Sequence, residues 1–195
     1  MNLITPPLVG SIRNLLDSQS LRLFENSAWG ADNLDHRSLM REFLAKHLDA
    51  SESDFKTSIL DLNLPATKIG SKFCSITHAI DKGIIAIDQN PIGIDLEISA
   101  RVNEKTVRRI ASDKEVNRMP NPSALWCAKE SAFKALRSFQ QPTAMSQLEI
   151  GGWRESQHEL LFFELKNAED FLAPQGRGAL IQSDIWSLAV FIFSS

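Results

Sequence analysis

Apolar residues in the first part of the chain recur at helical spacing over residues 34–48. Asp32 or Asn33 stands where such a helix is capped, because a short polar side chain can accept a hydrogen bond from the first turn. The following residues, 49–72, are polar with scattered apolar positions and predict no regular element. The pattern therefore predicts one clear helix in the first half of the chain.

Beyond this connector the apolar positions follow the pattern of strands. Residues 73–78 and 84–87 are apolar and rich in β-branched side chains, and they flank a turn signal at 81–83. This arrangement predicts a hairpin. Residues 92–97 predict a third strand.

The second half of the chain mixes helical and extended patterns. Helices are expected at 103–111 and 123–139, the second with Pro122 before it and Ser123 as its cap. Further strands are expected at 148–150, 160–165 and 185–193. Because helices and strands do not alternate strictly, the expected fold class is α+β rather than a doubly wound sheet.

Composition and charge narrow the classes of function. The chain is 43% hydrophobic and 23% charged, with a net charge of −3, so it has no basic field that would favour nucleic acid as a partner. Cys74 and Cys127 lie among apolar residues and are expected to be buried, reduced thiols. No signal-peptide pattern or bilayer-length apolar run is present, so we expect a cytoplasmic protein without a membrane partner.

Two acids on the third predicted strand are candidate metal ligands. Asp95 and Glu97 are two residues apart, so their carboxylates share one face, while Ile94 and Leu96 point to the other. Adjacent carboxylates repel unless a cation or a proton lies between them. Oxygen ligands of this kind suit Mg²⁺, which typically takes one or two protein carboxylates with waters and substrate phosphates. The alternative is a solvated strand face with two surface acids.

The predicted helix 123–139 carries a third acid between lysines. Glu130 and Lys134 lie one turn apart on one side of this helix, and Trp126 lies one turn before Glu130. Glu130 is a candidate third metal ligand, and Lys129 and Lys134 are candidates for holding phosphate charge. The alternative is an ordinary Glu–Lys pair on the surface.

Further candidate phosphate ligands lie in the first half. His78, at a strand end, can donate to a phosphate or act as an acid or base, although a lone histidine is more often structural. Arg37 and Arg41 on the first helix can each bind a phosphate with two hydrogen bonds, although exposed helical arginines are usually only solvated.

Three segments, in this order, resemble motifs of the 4′-phosphopantetheinyl transferase superfamily. Residues 75–78 (Ser-Ile-Thr-His) resemble its Ser-Ile-Ser-His-like segment, and 93–97 (Gly-Ile-Asp-Leu-Glu) its Gly-(Ile/Val)-Asp-x-Glu strand. Residues 126–134 (Trp-Cys-Ala-Lys-Glu-Ser-Ala-Phe-Lys) resemble its Trp-x-x-Lys-Glu-x-x-x-Lys helix. The second acid of the strand makes the longer, surfactin-type branch the nearest match, and residues 35–39 (Asp-His-Arg-Ser-Leu) are similar to a His-Arg-Thr-like segment of that branch.

The resemblance implies a particular architecture. Two similar α/β half-domains would be related by a pseudo-twofold axis, with coenzyme A between them. We expect an N-terminal half-domain over residues 1–90 and a C-terminal half-domain over 91–195 that carries the metal ligands. Because one chain then supplies both sides of the cleft, a monomer is expected.

The resemblance also implies a reaction. The 4′-phosphopantetheine group of coenzyme A would pass to a serine of an acyl or peptidyl carrier protein in a Mg²⁺-dependent step. Asp95, Glu97 and Glu130 would hold the metal, and Glu130, Lys134 and His78 would be the catalytic residues. Coenzyme A would be contacted by Arg37, Ser38, Thr77, His78, Lys129 and Lys134. The basic stretch 101–118 is either a docking surface for an acidic carrier protein or a solvated helix.

The chain also departs from the family's pattern. A Gly-Lys-Pro segment before the histidine strand is not recognisable, and Ala79 and Cys127 stand where serine or threonine is usual. A non-catalytic relative that binds coenzyme A or a carrier protein therefore remains an alternative. An unrelated metal-dependent phosphotransferase or hydrolase and a plain interaction module are further alternatives. The lack of a Gly-rich phosphate loop argues against a P-loop kinase.

Overall fold

A computed structural model of the chain describes residues 3–48, 66–156 and 160–193. The described elements form two antiparallel sheets with few helices, which confirms the expected α+β class. Most of the polar connector, residues 49–65, lies outside the described residues.

The first sheet contains the predicted hairpin. Its strands are β1 (Arg22–Asn26), β2 (Ala66–Ile69), β3 (Lys72–His78) and β4 (Gly83–Asp88), in the spatial order β1-β4-β3-β2. β3 and β4 form the hairpin, in which His78 pairs with Gly83. The predicted helix is α2 (His36–Leu48), which buries Met40 and Leu44 against this sheet.

The second sheet is built from the rest of the chain. Its strands are β5 (Ile92–Ile98), β6 (Ile150–Glu155), β7 (Leu160–Leu165), β8 (Gly176–Gln182) and β9 (Trp186–Phe193), in the order β5-β9-β8-β7-β6. The expected strands at 92–97, 160–165 and 185–193 are confirmed within a residue or two. The strand expected at 148–150 begins instead at Ile150, because Leu148 follows a short 3-10 turn.

The helices differ more from the sequence expectation. The helix expected at 103–111 is only α3 (Glu104–Val107), followed by a second short helix, α4 (Asp113–Val116), which starts at a capping box on Ser112. The helix expected at 123–139 is α5 (Pro122–Ala135); Asn121 is its cap, accepting from the Ala124 N–H. Pro122 fixes the first helical position, so the capping residue must precede it.

A further helix, α1 (Pro6–Leu16), was not predicted from the sequence. Its buried residues Val9, Ile12 and Leu16 lie in one apolar cluster with β5 and β9. The N-terminal helix thus contributes to the packing of the second sheet. The boundary near residue 90 and the pseudo-twofold axis stay predictions.

Two other expectations concern the cysteines and membrane-spanning helices. Cys74 and Cys127 are both buried, and neither is in a disulfide. Over the three described ranges, no helix combines the length and apolar character needed to cross a membrane.

Helix α5 packs so closely on β5 that only glycine fits at one position. A Cβ on Gly93 would lie 1.8 Å from the Ser131 carbonyl oxygen and 2.7 Å from the Ala135 nitrogen, both backbone atoms of α5. The glycine that opens the Gly-Ile-Asp-x-Glu motif therefore sets the distance between strand and helix.

We expect Gly93→Ala to destabilise the protein by several kcal/mol, because helix and strand must separate to admit the methyl group. Urea unfolding measures this change. Gly10→Ala is the matched control: a Cβ on Gly10, in α1, would have no atom of the described residues within 4 Å, and alanine favours a helix by about 1 kcal/mol. Equal stability of Gly93→Ala and the unsubstituted protein would contradict the packing argument.

Candidate functional site

The strand period places the first acid against α5. Gly93 and Asp95 share the face of β5 that meets α5, whereas Ile94 and Leu96 pack in the apolar cluster behind it. Asp95 is 5% exposed, and Lys134 of α5 donates to its Oδ1 at 2.8 Å. Because Asp95 is buried, the alternative of a solvated surface acid is wrong for this residue.

The two oxygens of the Asp95 carboxylate differ in their hydrogen bonding. Thr77 Oγ1 lies 3.5 Å from Asp95 Oδ1, the oxygen that also accepts from Lys134. Asp95 Oδ2 is buried and accepts no hydrogen bond within the described residues. Because a buried charged oxygen without a partner is costly, this atom is suited to a cation, a water molecule or a ligand donor.

The other two acids have pKa values that reflect crowding. Burial, reinforced by the charge of Asp95, raises the pKa of Glu97 to about 7, although Lys134 and the indole of Trp126 favour its charged form. Burial and Asp95 also raise the pKa of Glu130, against the opposing effect of Lys134. Three carboxylates thus share one region with a single lysine between them.

This donor set fits a hard divalent cation chemically. Like charges raise one another's pKa values, and a bound cation relieves that repulsion. The unpartnered Asp95 Oδ2 is an oxygen that could bind such a cation. In the part of the chain that the structure describes, however, no three His, Cys, Asp or Glu side chains already converge closely enough to enclose a metal ion.

Lys134 is held between strand and carboxylate. Its Nζ donates to Asp95 Oδ1 and, at 2.9 Å, to the Ile94 carbonyl. Burial alone lowers the pKa of this lysine, but the attraction of Asp95 and Glu130 outweighs it and raises the pKa. Within the described residues, one of its three N–H donors remains for another acceptor.

The structure does not bring Lys129 to the acids. Its Nζ is enclosed by Glu115 Oε1 at 2.8 Å and by the Leu148 and Met145 carbonyls at 2.5 and 3.5 Å. These three acceptors use all three N–H donors of the ammonium group. Burial lowers the pKa of Lys129, and Glu115 opposes this shift. Lys129 therefore ties α5 to α4 and to the chain before β6.

The candidate residues of the first half lie where β3 ends and α2 begins. Partial burial, followed by the neighbouring His36, Lys134 and Arg37, lowers the pKa of His78, whereas Asp95 raises it; part of the ring still reaches solvent. Ser38 is exposed on the first turn of α2. The hydroxyl of Thr77 accepts from the Leu96 N–H at 3.0 Å, so it also joins the two sheets.

Sequence reasoning assigned no role to three neighbours of the site. Ser75 Oγ accepts from the Ile94 N–H at 3.1 Å, and thus holds β3 beside β5. His36 lies against His78, with ring centroids 5.0 Å apart. Trp126 favours the charged form of Glu97. The sequence offered one signal for them: each lies in a short segment that also contains a candidate ligand.

Comparison with known proteins supports a class of reaction. Residues 91–182 match the family model described as the 4′-phosphopantetheinyl transferase superfamily. The matched part is just under half of the chain and contains Asp95, Glu97 and Glu130. No curated protein matches the chain. The match indicates a transferase and phosphopantetheine transfer in general; coenzyme A and a carrier protein are the partners that the family implies.

The raised pKa of Glu97 predicts a pH-dependent stability. The folded protein holds this proton up to about pH 7, whereas an unfolded glutamate releases it near pH 4.5, so the contribution of Glu97 becomes less favourable as pH rises between these values. Relative to the unsubstituted protein, Glu97→Gln should therefore gain stability between pH 5 and pH 8. Urea midpoints at both pH values measure this. Glu155→Gln, at an exposed strand end, is the control; identical pH profiles for Glu97→Gln and the unsubstituted protein would contradict the prediction.

The buried pair of Lys129 and Glu115 predicts a second outcome. Lys129→Met leaves a buried carboxylate without its partner and should cost about 3–5 kcal/mol of unfolding free energy. Adding Glu115→Gln removes that charge and should recover part of the loss, as urea unfolding would show; the recovery is incomplete because the glutamine amide nitrogen cannot accept one of the two backbone N–H bonds, from Ser112 and Ile150, that the two carboxylate oxygens of Glu115 accept. The double variant should bind coenzyme A like the unsubstituted protein in calorimetry; weaker binding at equal stability would instead place Lys129 at the diphosphate.

Proposed function

We propose that the chain is a 4′-phosphopantetheinyl transferase of the surfactin-type branch. It moves the 4′-phosphopantetheine group from coenzyme A to a serine of an acyl or peptidyl carrier protein. The observation that carries this proposal is the buried Asp95, with one oxygen held by Lys134 and the other unpartnered among the described residues, beside two acids with raised pKa values. These residues lie inside the segment that matches the superfamily.

Asp95, Glu97 and Glu130 are the residues that would hold Mg²⁺. The bound cation would polarise the phosphoryl group and neutralise charge on its oxygens. Lys134 supports this arrangement, since its hydrogen bond to Asp95 Oδ1 orients the carboxylate and leaves Oδ2 available. Ligand carboxylates are commonly oriented by such a second hydrogen bond.

Glu130 is the proposed proton acceptor. Transfer requires the serine hydroxyl of the carrier protein to lose its proton as it attacks the phosphorus that carries the pantetheine arm. A base is most effective when its pKa lies nearer to the working pH, and burial and Asp95 shift the pKa of Glu130 in that direction. Glu130 receives the proton directly or through a water molecule.

The cationic groups near Asp95 complete the proposed site. Lys134 has one N–H donor left for a phosphate oxygen, and His78 offers a ring nitrogen at the end of β3. Both would stabilise adenosine 3′,5′-bisphosphate as it leaves. Arg37 and Ser38, on the first turn of α2, would meet the adenosine end of coenzyme A. Lys129 is not part of this proposal, because Glu115 and two carbonyls enclose it.

A carrier protein would dock on the basic stretch 101–118. Arg108 is paired with Glu104 and Asp113, and Lys114 with Glu149, so these two cations are already balanced. Exposed cations of this stretch that form no ion pair within the described residues are Arg101, Lys105, Arg109 and Arg118. They are the cations available to an acidic partner.

Glu130→Gln tests the mechanism. The variant keeps the shape of the side chain but loses the charge that would bind the cation and accept the proton, so transfer should fall by at least about a hundredfold. The assay incubates protein, coenzyme A, Mg²⁺ and an apo carrier protein, and the carrier is weighed by mass spectrometry. Urea unfolding should show an intact fold.

The same assay separates the alternatives. Glu155→Gln should transfer at the normal rate, and EDTA should stop transfer by the unsubstituted protein. Near-normal transfer by Glu130→Gln would refute the assigned role. Coenzyme A binding without any transfer would identify the non-catalytic relative, which remains the second candidate because the family's Gly-Lys-Pro segment is not recognisable.

A further inference from the structure

Strand β5 lies at the edge of the second sheet. Within the described residues it pairs as a strand with β9 alone, so the backbone groups of its outer edge need partners of another kind. On that edge the Ile94 N–H donates to Ser75 Oγ at 3.1 Å. The Leu96 N–H donates to Thr77 Oγ1 at 3.0 Å. Two hydroxyl groups of β3 therefore take the place of a neighbouring strand.

The alternation of side chains along β3 explains why both hydroxyls point to β5. Residues two apart share one face of a strand. Cys74 and Ile76, on the opposite face, belong to the apolar cluster that α2 covers. Ser75 is 1% exposed and Thr77 is 5% exposed. The two hydroxyls are therefore held inside the molecule, against the edge of β5.

Asp95 lies between the two backbone groups that these hydroxyls hold. Its Oδ1 accepts from Lys134 at 2.8 Å, and Thr77 Oγ1 donates to the same oxygen over a longer distance of 3.5 Å. Lys134 also donates to the Ile94 carbonyl at 2.9 Å, so the outer edge of β5 is bonded on both sides of Asp95. The carboxylate is thus held through Oδ1, and Oδ2 has no partner within the described residues.

We propose that Ser75 and Thr77 are positioning residues for Asp95: their hydroxyls fix the outer edge of β5 and keep Asp95 Oδ2 directed to the cation. This role differs from a contact with coenzyme A, because the buried Thr77 hydroxyl already accepts one hydrogen bond and donates another. A strand of the first sheet thereby aligns a metal ligand of the second. The cation is the Mg²⁺ of the function proposed above, so this role rests on that proposal.

Three variants separate positioning from general stability. Thr77→Val removes the hydroxyl and keeps the branched shape, whereas Thr77→Ser keeps the hydroxyl. Ser18→Ala is the matched control: Ser18 is 4% exposed, and its Oγ donates to Asp88 Oδ2 at 2.5 Å, at the end of the β3–β4 hairpin away from its turn. Thr77→Val and Ser18→Ala should both lose stability in urea, because each leaves a buried polar group without its partner.

The first measurement is the affinity for Mn²⁺, which stands in for Mg²⁺ and is followed by the electron paramagnetic resonance of the free ion. Thr77→Val should bind Mn²⁺ about tenfold more weakly, as expected when a metal ligand loses a group that orients it. Thr77→Ser should recover most of the affinity, and Ser18→Ala should bind normally. Normal affinity of Thr77→Val would overturn the inference, as would equal weakening by Ser18→Ala. If the unsubstituted protein binds no Mn²⁺, the metal site of the proposed function itself fails.

The second measurement needs no metal. Amide hydrogen exchange, followed by nuclear magnetic resonance, reports whether the Leu96 N–H keeps its hydrogen bond. Relative to the other amides of β5, Leu96 should exchange about tenfold faster in Thr77→Val, as the loss of one hydrogen bond predicts, and at the normal rate in Thr77→Ser and Ser18→Ala. Ser75→Ala should have the same effect on Ile94. Unchanged exchange of Leu96 in Thr77→Val would overturn the positioning role whatever the protein binds.

Discussion

The hydrogen bonds of Lys134 hold the candidate site together. This lysine is 8% exposed and binds both the backbone of β5 and the carboxylate of Asp95. A buried charge is tolerated only when it is paired and hydrogen-bonded, so lysine and aspartate depend on each other. Gly93 makes the contact possible, because any side chain at that position would push α5 away. The positions of Glu97 and Glu130 follow from this single contact, since one belongs to β5 and the other to α5.

Much of this site could be predicted from periodicity. A strand places residues two apart on one face, and a helix places residues four apart on one side, so Asp95 with Glu97 and Glu130 with Lys134 were expected as pairs. The strand period also predicted that Ile94 and Leu96 would face the core. Periodicity does not predict which residue of the other element a side chain meets. Lys134 of α5 donates its hydrogen bond to Asp95 of β5, rather than to Glu130 on its own helix.

Lys129 also shows that periodicity does not predict tertiary partners. The sequence places Lys129 beside Glu130, but successive helical residues point in directions about 100° apart, and Lys129 therefore faces α4. Its partner Glu115 is brought there by a capping box at Ser112 and by the Ile150 N–H. These are tertiary contacts, which no spacing rule specifies. The cap of α5 is a local example, since both Asn121 and Ser123 are good capping residues, and Ser123 Oγ instead lies 2.7 Å from Ser187 Oγ.

The packing of Gly93, Asp95 and Lys134 also affects how relatives of this protein would be compared. All three positions support the fold, so a descendant that had lost its activity would still be under pressure to keep them. Burial raises the pKa values of Glu97 and Glu130, so their charged forms are costly, and a protein that did not need these carboxylates would be more stable without them. In a set of diverging sequences, the glycine, aspartate and lysine would therefore report an intact framework, whereas under the proposed function loss of the two glutamates would mark proteins that no longer carry out the transfer.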